Sequence, residues 1–419
     1  MAKNQRQSPA PEYVAPFTPR TIYIAFEVFP KAKGATSHMA MLAQTLAEEH
    51  GPLLLLCCGH SDMPALQIEG DIIIRRHKAY HPNMLHRVIE FGRFVYRMLR
   101  NLPQQPELVI FRDPWGGAPA LQALDGCPAV FEVNALPGWE LPYSYPAIRN
   151  NAAMRAKILD LESFCLRRAA GFITVSSLTA EALMGLGVES DRLTIIPNAA
   201  DDVFFTPPAP DGPVGPWLDG RWFGYFGSLH TWQGVDTLIR AWARIEGDFP
   251  GINLLIIHNN RRQAVKRLEK LARRLELDGR VFFQPPVPPE VLAGIIARLE
   301  FTCAPLLETA RNTVQGCCPV KIVESMAAGT PVLASDLRVT RELISSGVDG
   351  LLVPSGDTRA WALSLGKLMQ DNRVSRRLGM NARQTAGKRF SRKVTLERLE
   401  RLIAQVTDEA GPRRDKNDN

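Results

Sequence analysis

Short apolar runs alternate along this chain with stretches whose apolar side chains recur every three or four residues, the patterns of strands and amphipathic helices. Near the N-terminus TIYIAF, starting at Thr21, reads as a strand. Gly34 sits in the loop after it, Thr36 or Ser37 caps a helix bearing Met39, Leu42 and Leu46, and LLLLCC, ending at Cys58, is the next strand. ELVIFR, AVFEVN, GFITVS and LTIIPN follow as further strands separated by helical stretches. Uninterrupted apolar strands alternating with helices predict a parallel sheet covered on both faces, in an α/β domain over residues 21–200.

TPPAPDGPVGPWLDG, residues 206–220, is dense in Pro and Gly and reads as a linker. A second α/β series over 221–390 starts with RWFGYFG. Val235, Leu238, Ile239, Trp242 and Ile245 then fall at helical spacing, followed by INLLII, a basic amphipathic helix around Val265–Leu275, VFF, a helix near Val291, FTCAPL and PVLA. Ser391 caps a last helix over 391–408, whose Leu396, Leu399 and Leu402 form a stripe long enough to cross back between the domains.

Length supports this bilobed reading, since 419 residues with 45% hydrophobic content exceed one typical domain. The formal net charge is +7, but the basic residues are spread along the whole chain and no aromatic-basic reading motif occurs, so nucleic acid is not expected as a partner. The seven cysteines show neither CxxC spacing nor a Cys/His cluster, which points to a reduced, cytoplasmic protein without structural zinc. Residues 1–20 and 410–419 read as disordered tails, the first lacking the apolar core of a signal peptide. No run reaches the ~20 apolar residues of a membrane span. The stretch 83–101 pairs an apolar stripe of Leu85, Val88, Phe91, Val95 and Met98 with Arg87, Arg93, Arg97 and Arg100. Its spacing favours a helix packed on the sheet, with a peripheral membrane contact as the alternative.

The candidate chemistry concentrates in RNTVQGCCPVKIVESMAAGTPVLAS, Arg311 to Ser335. Pro319 suits a first helical turn, Lys321 and Glu324 lie three residues apart on one face, and Gly329 ends the helix before a buried strand. A lysine at a helix N-terminus attracts phosphate, and a carboxylate one turn further accepts two hydrogen bonds from a sugar diol.

These motifs resemble the GT-B glycosyltransferases, in particular family 4 of the retaining enzymes. FGYFGSLHTWQGVDTLIRAW is similar to the family's strand, Gly turn and helix. The segment TVSSLTAEALMGLGVESDRLTIIPNAADDVFF is similar to the one that closes the first domain, and PVKIVESMAAGTPVLAS with DGLLVPSGD to the donor-site helix and following strand. The resemblance implies two Rossmann-like domains facing a cleft and a nucleotide-diphosphate sugar as co-substrate, bound by the second domain, with no other cofactor. A saccharide or glycolipid acceptor is then bound by the first. It assigns donor contacts to Gly227, Ser228, Asn312, Val320, Lys321 and Glu324, catalytic roles to Lys321, Glu324, Asn134 and Glu132, and the acceptor side of the cleft to Gly34, His38, Arg112, Glu140 and His230. No Asp-x-Asp occurs, so a metal-independent reaction is implied.

The departures from the family pattern are specific. Gly316 stands where the first of two glutamates spaced eight apart is usual, and Ser228 and Gln233 replace an arginine and a lysine that commonly meet the diphosphate. Lys321 is then the remaining motif cation. FEVN offers Glu132 and Asn134 where many members carry a histidine. These losses also fit a catalytically weak GT-B protein acting as a binding or scaffold subunit of a saccharide-assembly system.

Overall fold

The computed structural model describes residues 18–30, 34–78, 81–208, 220–259 and 262–409. Most of the expected linker, and the expected tails apart from residues 18–20, lie outside them. Strands β1 (Thr21–Val28), β2 (Leu53–Cys58), β3 (Leu66–Glu69), β4 (Ile72–His77), β5 (Leu108–Phe111), β6 (Ala129–Val133), β7 (Gly171–Thr174) and β8 (Leu193–Ile195) form one sheet. Its order is β3-β4-β2-β1-β5-β6-β7-β8. Every ladder is parallel except β3–β4. The hairpin of β3 and β4 was not anticipated, although Gly70, at φ +55°, marks its turn.

The second sheet comprises β9 (Arg221–Gly227), β10 (Ile252–His258), β11 (Val281–Gln284), β12 (Thr302–Ala304), β13 (Val332–Ser335) and β14 (Leu351–Val353). It is wholly parallel, in the order β11-β10-β9-β12-β13-β14. Each sheet carries a core on both faces, which is why its strands are continuously apolar. These are the two Rossmann-like domains of the GT-B fold.

The chain crosses between domains twice. Past β8 the chain already belongs to the second core: Ala200 and Phe204 pack with Ile322, Val323 and Met326, and the Ala200 N–H donates to the Phe390 carbonyl at 3.0 Å. The return crossing is the helix Arg392–Glu409, whose Leu399, Leu402, Ile403 and Val406 sit among Tyr23, Leu53 and Ile173 of the first domain. The helix Met84–Arg100, capped by Asn83, buries Phe91, Val95 and Leu99 against the first sheet, so the inner part of its apolar stripe serves the core. Among the described residues no helix is long and apolar enough to cross a membrane. The first helix runs Gly34–His50, so Gly34 opens it rather than preceding it, and Thr36 and Ser37 fall in its first turn.

Candidate active site

Helix Val320–Ala327 begins after Pro319, the N-cap residue at φ −66°, one position before the expected first turn. Val320 is the first helical residue and lies half-buried at the helix mouth. Lys321 does not pair with Glu324. Its Nζ donates to Gln233 Oε1 at 2.7 Å and stands 4.0 Å from the Tyr225 ring centroid, a cation–π contact. The Tyr225 hydroxyl in turn donates to the Ser228 carbonyl and lies 3.3 Å from the same Gln233 oxygen. Tyr225 and Gln233 thus form a shelf that aims the ammonium at the Gly227–Ser228 turn.

Gly227 has φ +131°, and a Cβ there would sit 3.0 Å from Lys321 Nζ, so only glycine leaves both the turn and the ammonium in place. Burial draws the Lys321 ammonium down to about 7, with Glu324 acting in the opposite direction. Glu324 is 9% exposed, and its carboxylate forms no hydrogen bond or ion pair among the described residues. Burial pushes it up to about 8, Lys321 opposing and Asp201 adding. A cation short of counter-charge and a carboxylate with its lone pairs uncommitted therefore share one helix turn.

In the first domain, Glu132 is fully buried and accepts from four side chains. Its Oε2 takes the Tyr23 hydroxyl at 2.7 Å, and its Oε1 takes Asn134 Nδ2 at 2.9 Å, with His38 Nε2 at 3.1 Å and Arg112 Nε at 3.2 Å. Burial alone would raise this carboxylate, but Arg112 and His38 hold it at about 2. Glu132 therefore has no free oxygen for a substrate and acts by orienting its neighbours. Of that cluster, His38 Nδ1 is buried without a hydrogen-bond partner among the described residues, and Asn134 is half-buried.

Across the junction, Arg311 Nε meets Glu140 Oε1 at 2.9 Å, and the Arg311 guanidinium lies 5.4 Å from the Trp232 ring centroid. His230 stacks on Trp232 at 4.2 Å with an interplanar angle of 6°, and Tyr143 of the first domain stands 5.7 Å away. Glu140 and His230 thus occupy the domain junction, where Glu140 is committed to Arg311. Asn312, expected at the donor, is fully buried. Its Nδ2 donates to the carbonyls of Leu307 at 2.8 Å and Trp232 at 3.2 Å, so it fastens loops.

Gly316, where the family carries its first glutamate, has φ +79° and lies against the first domain: a Cβ would stand 2.5 Å from Ser176 Oγ and 2.7 Å from the Thr179 nitrogen. A side chain there would meet the first domain, so with the two domains packed as they are position 316 fits only glycine. Tyr225, Trp232 and Tyr143 were not anticipated, nor was the role of Gln233 as a lysine partner. The only sequence signal for Gln233 was that it replaced a cation.

Comparison with known proteins agrees with this geometry. Residues 32–204 match the model for Glycosyltransferase Family 4, and residues 220–371 match that for Glycosyl transferases group 1. The chain belongs to glycosyltransferase family 4. It is 29% identical to a D-inositol 3-phosphate glycosyltransferase of Nocardia farcinica, over 47% of this chain and 44% of that protein. It is 26% identical to the protein of the same name from Corynebacterium urealyticum, over 65% of this chain and 67% of that one. The match thus spans about half to two thirds of these relatives' length. In fold it is similar to sucrose-phosphate synthase of Thermosynechococcus elongatus, with TM-score 0.77 and 19% identity over 93% of this chain and 100% of that one. The Anabaena protein HepE, solved in complex with UDP, superposes with TM-score 0.69 and 16% identity over 92% of this chain and 100% of that one.

Proposed function

We propose that this protein is a retaining, metal-independent glycosyltransferase that moves a hexose from a nucleotide-diphosphate sugar to a saccharide or glycolipid acceptor. The observation that carries this reading is Lys321, held by Gln233 and Tyr225 beside the Gly227–Ser228 turn, with Glu324 uncommitted one helix turn away. The ammonium and the backbone N–H groups around Gly227 and Ser228 neutralise the departing diphosphate, the electrostatic stabilisation that acyl- and phosphoryl-transfer sites also use. Glu324 accepts the two ribose hydroxyls. The acceptor hydroxyl bonds to the anomeric carbon on the face from which the diphosphate leaves, the carbon–oxygen bond to the diphosphate breaks, and the hydroxyl proton passes to the leaving phosphate oxygen. Asn134 and His38, set by Glu132, orient the acceptor and sugar.

Metal independence belongs to the same reading, in which Lys321 and the backbone N–H groups bring the positive charge that a cation would otherwise supply. Uridine is a first candidate for the base, since HepE was solved with UDP. A thermal-shift series with UDP, GDP, ADP and CMP tests the donor, as a ligand at ~100 times its dissociation constant stabilises by ~2.7 kcal/mol. Stabilisation by none of the four would count against a nucleotide donor. NMR of the product's anomeric proton tests retention, and activity lost to EDTA and restored by manganese would contradict metal independence. If nucleotide binds but no donor is turned over or hydrolysed, the scaffold reading replaces transfer.

A further inference from the structure

A cavity of about 520 Å³ opens at the domain junction, and neither Lys321 nor Glu324 lines it. Its walls come from both domains: Ile195 and Pro197 on one side, Leu343 and Phe390 on the other. Three guanidiniums reach it. Arg341 is occupied by Asp336 through a two-pronged ion pair, Nε to Oδ1 at 2.6 Å and Nη2 to Oδ2 at 2.9 Å. Arg389 and Arg398 are different. The Arg389 Nη2 donates to the Glu342 carbonyl at 2.5 Å, and its guanidinium lies 4.8 Å from the Phe390 ring centroid. The Arg398 Nη1 donates to the Ile195 carbonyl at 3.3 Å.

Neither forms an ion pair with a carboxylate among the described residues. The one carboxylate in the lining, Glu342, accepts the Ser177 N–H at 3.0 Å and the Ser177 hydroxyl at 2.5 Å, so it is tied to the other domain. Each guanidinium has five N–H groups, most of them uncommitted here. Arg398 is lowered by burial and then by the neighbouring charges of Arg389 and Arg401. Two cations that repel across a cavity lined by polar groups as well as by Ile195, Leu343 and Phe390 suit an anion with a small organic body, because guanidinium forks match phosphate geometry and the apolar side chains can meet carbon.

We propose that this cavity binds a small soluble phosphate ester between Arg389 and Arg398, at a site separate from the donor cleft. An occupant touches both domains. Cys317 and Cys318, which also line the cavity, lead directly into the helix that carries Lys321, so occupancy is linked to the donor site. That linkage to turnover rests on the transferase reading, whereas binding itself does not.

Calorimetric titration with inorganic phosphate, at constant ionic strength, separates the two sites. Wild type and Lys321→Met are expected to bind with affinities within about twofold of each other, while the Arg389→Gln/Arg398→Gln double variant binds at least about tenfold more weakly. Unchanged affinity in the double variant, loss confined to Lys321→Met, or no binding by wild type at millimolar phosphate would each overturn the proposal. Should the double variant fail to fold, Arg398→Glu serves instead: it supplies Arg389 with a counter-charge, so phosphate binding should be lost with the melting temperature kept, and retained binding would refute the site. Phosphatidate vesicles are expected to leave the protein in the supernatant on sedimentation. Arg398-dependent pelleting would overturn the assignment to a soluble ligand.

Discussion

Lys321 Nζ rests 2.7 Å from Gln233 Oε1, although Glu324 lies one turn along the same helix. The lysine is thus oriented by a neutral acceptor and keeps its charge for an incoming anion. Burial places the free ammonium at about 7, and a bound diphosphate must raise it. Since the charged form is the one that binds, nucleotide diphosphate affinity is expected to fall as pH rises above about 7. Binding at pH 9, where Glu324 is already largely ionised, should take up a proton at Lys321. Calorimetry in buffers of different ionisation enthalpy measures this directly, and binding without proton uptake would show that Lys321 stays charged in the free protein.

Glu324 pays for its function in stability. Its carboxylate is raised from the ordinary 4.5 to about 8, so it binds its proton more tightly folded than unfolded. It therefore stabilises the fold below pH 4.5, an effect lost as pH climbs towards about 8. Glu324→Gln is expected to melt higher than wild type at pH 8.5 while losing most of its affinity for nucleotide. A lower melting temperature together with intact nucleotide binding would make Glu324 a structural residue.

Placing the family's glutamate at position 316 should not raise activity. A non-glycine residue at φ +79° costs ~1–3 kcal/mol, and its Cβ would also meet Ser176 and Thr179 across the junction. Gly316→Glu is expected to melt below wild type and to turn over more slowly. A variant that gains activity at unchanged stability would show that the junction can open without loss.

Glu132 makes the opposite linkage. Its carboxylate is lowered from 4.5 to about 2, so its stabilisation is present above pH 4.5 and is lost as pH falls towards about 2. Glu132→Gln breaks the buried Arg112–Glu132 ion pair, and breaking such a pair costs up to ~3–5 kcal/mol. Urea titrations at pH 7 and pH 4 should show that gap narrowing with acid. An equal loss at both pH values would mean the cluster is held by hydrogen-bond geometry instead of charge.

The fold was legible because a parallel strand covered on both faces must be apolar throughout, as TIYIAF and INLLII are. Strand β4 escaped because Arg75 and Arg76, only 8% and 3% exposed, put two charges into a buried segment. Lys321 and Glu324 were legible as a pair, since helix geometry alone places them together. Their partners were not: Gln233 is 88 residues from Lys321, and that contact exists only once β9 and the Val320–Ala327 helix meet. The absence of a glutamate at Gly316 was visible in the sequence, but the close approach of Ser176 and Thr179 from the other domain was not.

Turnover of Lys321→Met tests the central claim most directly. Removing a preorganised stabiliser of a leaving group costs ~2.7–4 kcal/mol, about 100- to 1,000-fold in rate, whereas loss of a surface lysine costs under ~1 kcal/mol. With saturating donor and acceptor, Lys321→Met is expected to melt within a few degrees of wild type and to turn over at least ~100-fold more slowly. Near-normal turnover in the folded variant would contradict the assignment and leave the diphosphate to Ser228, Arg311 and the backbone.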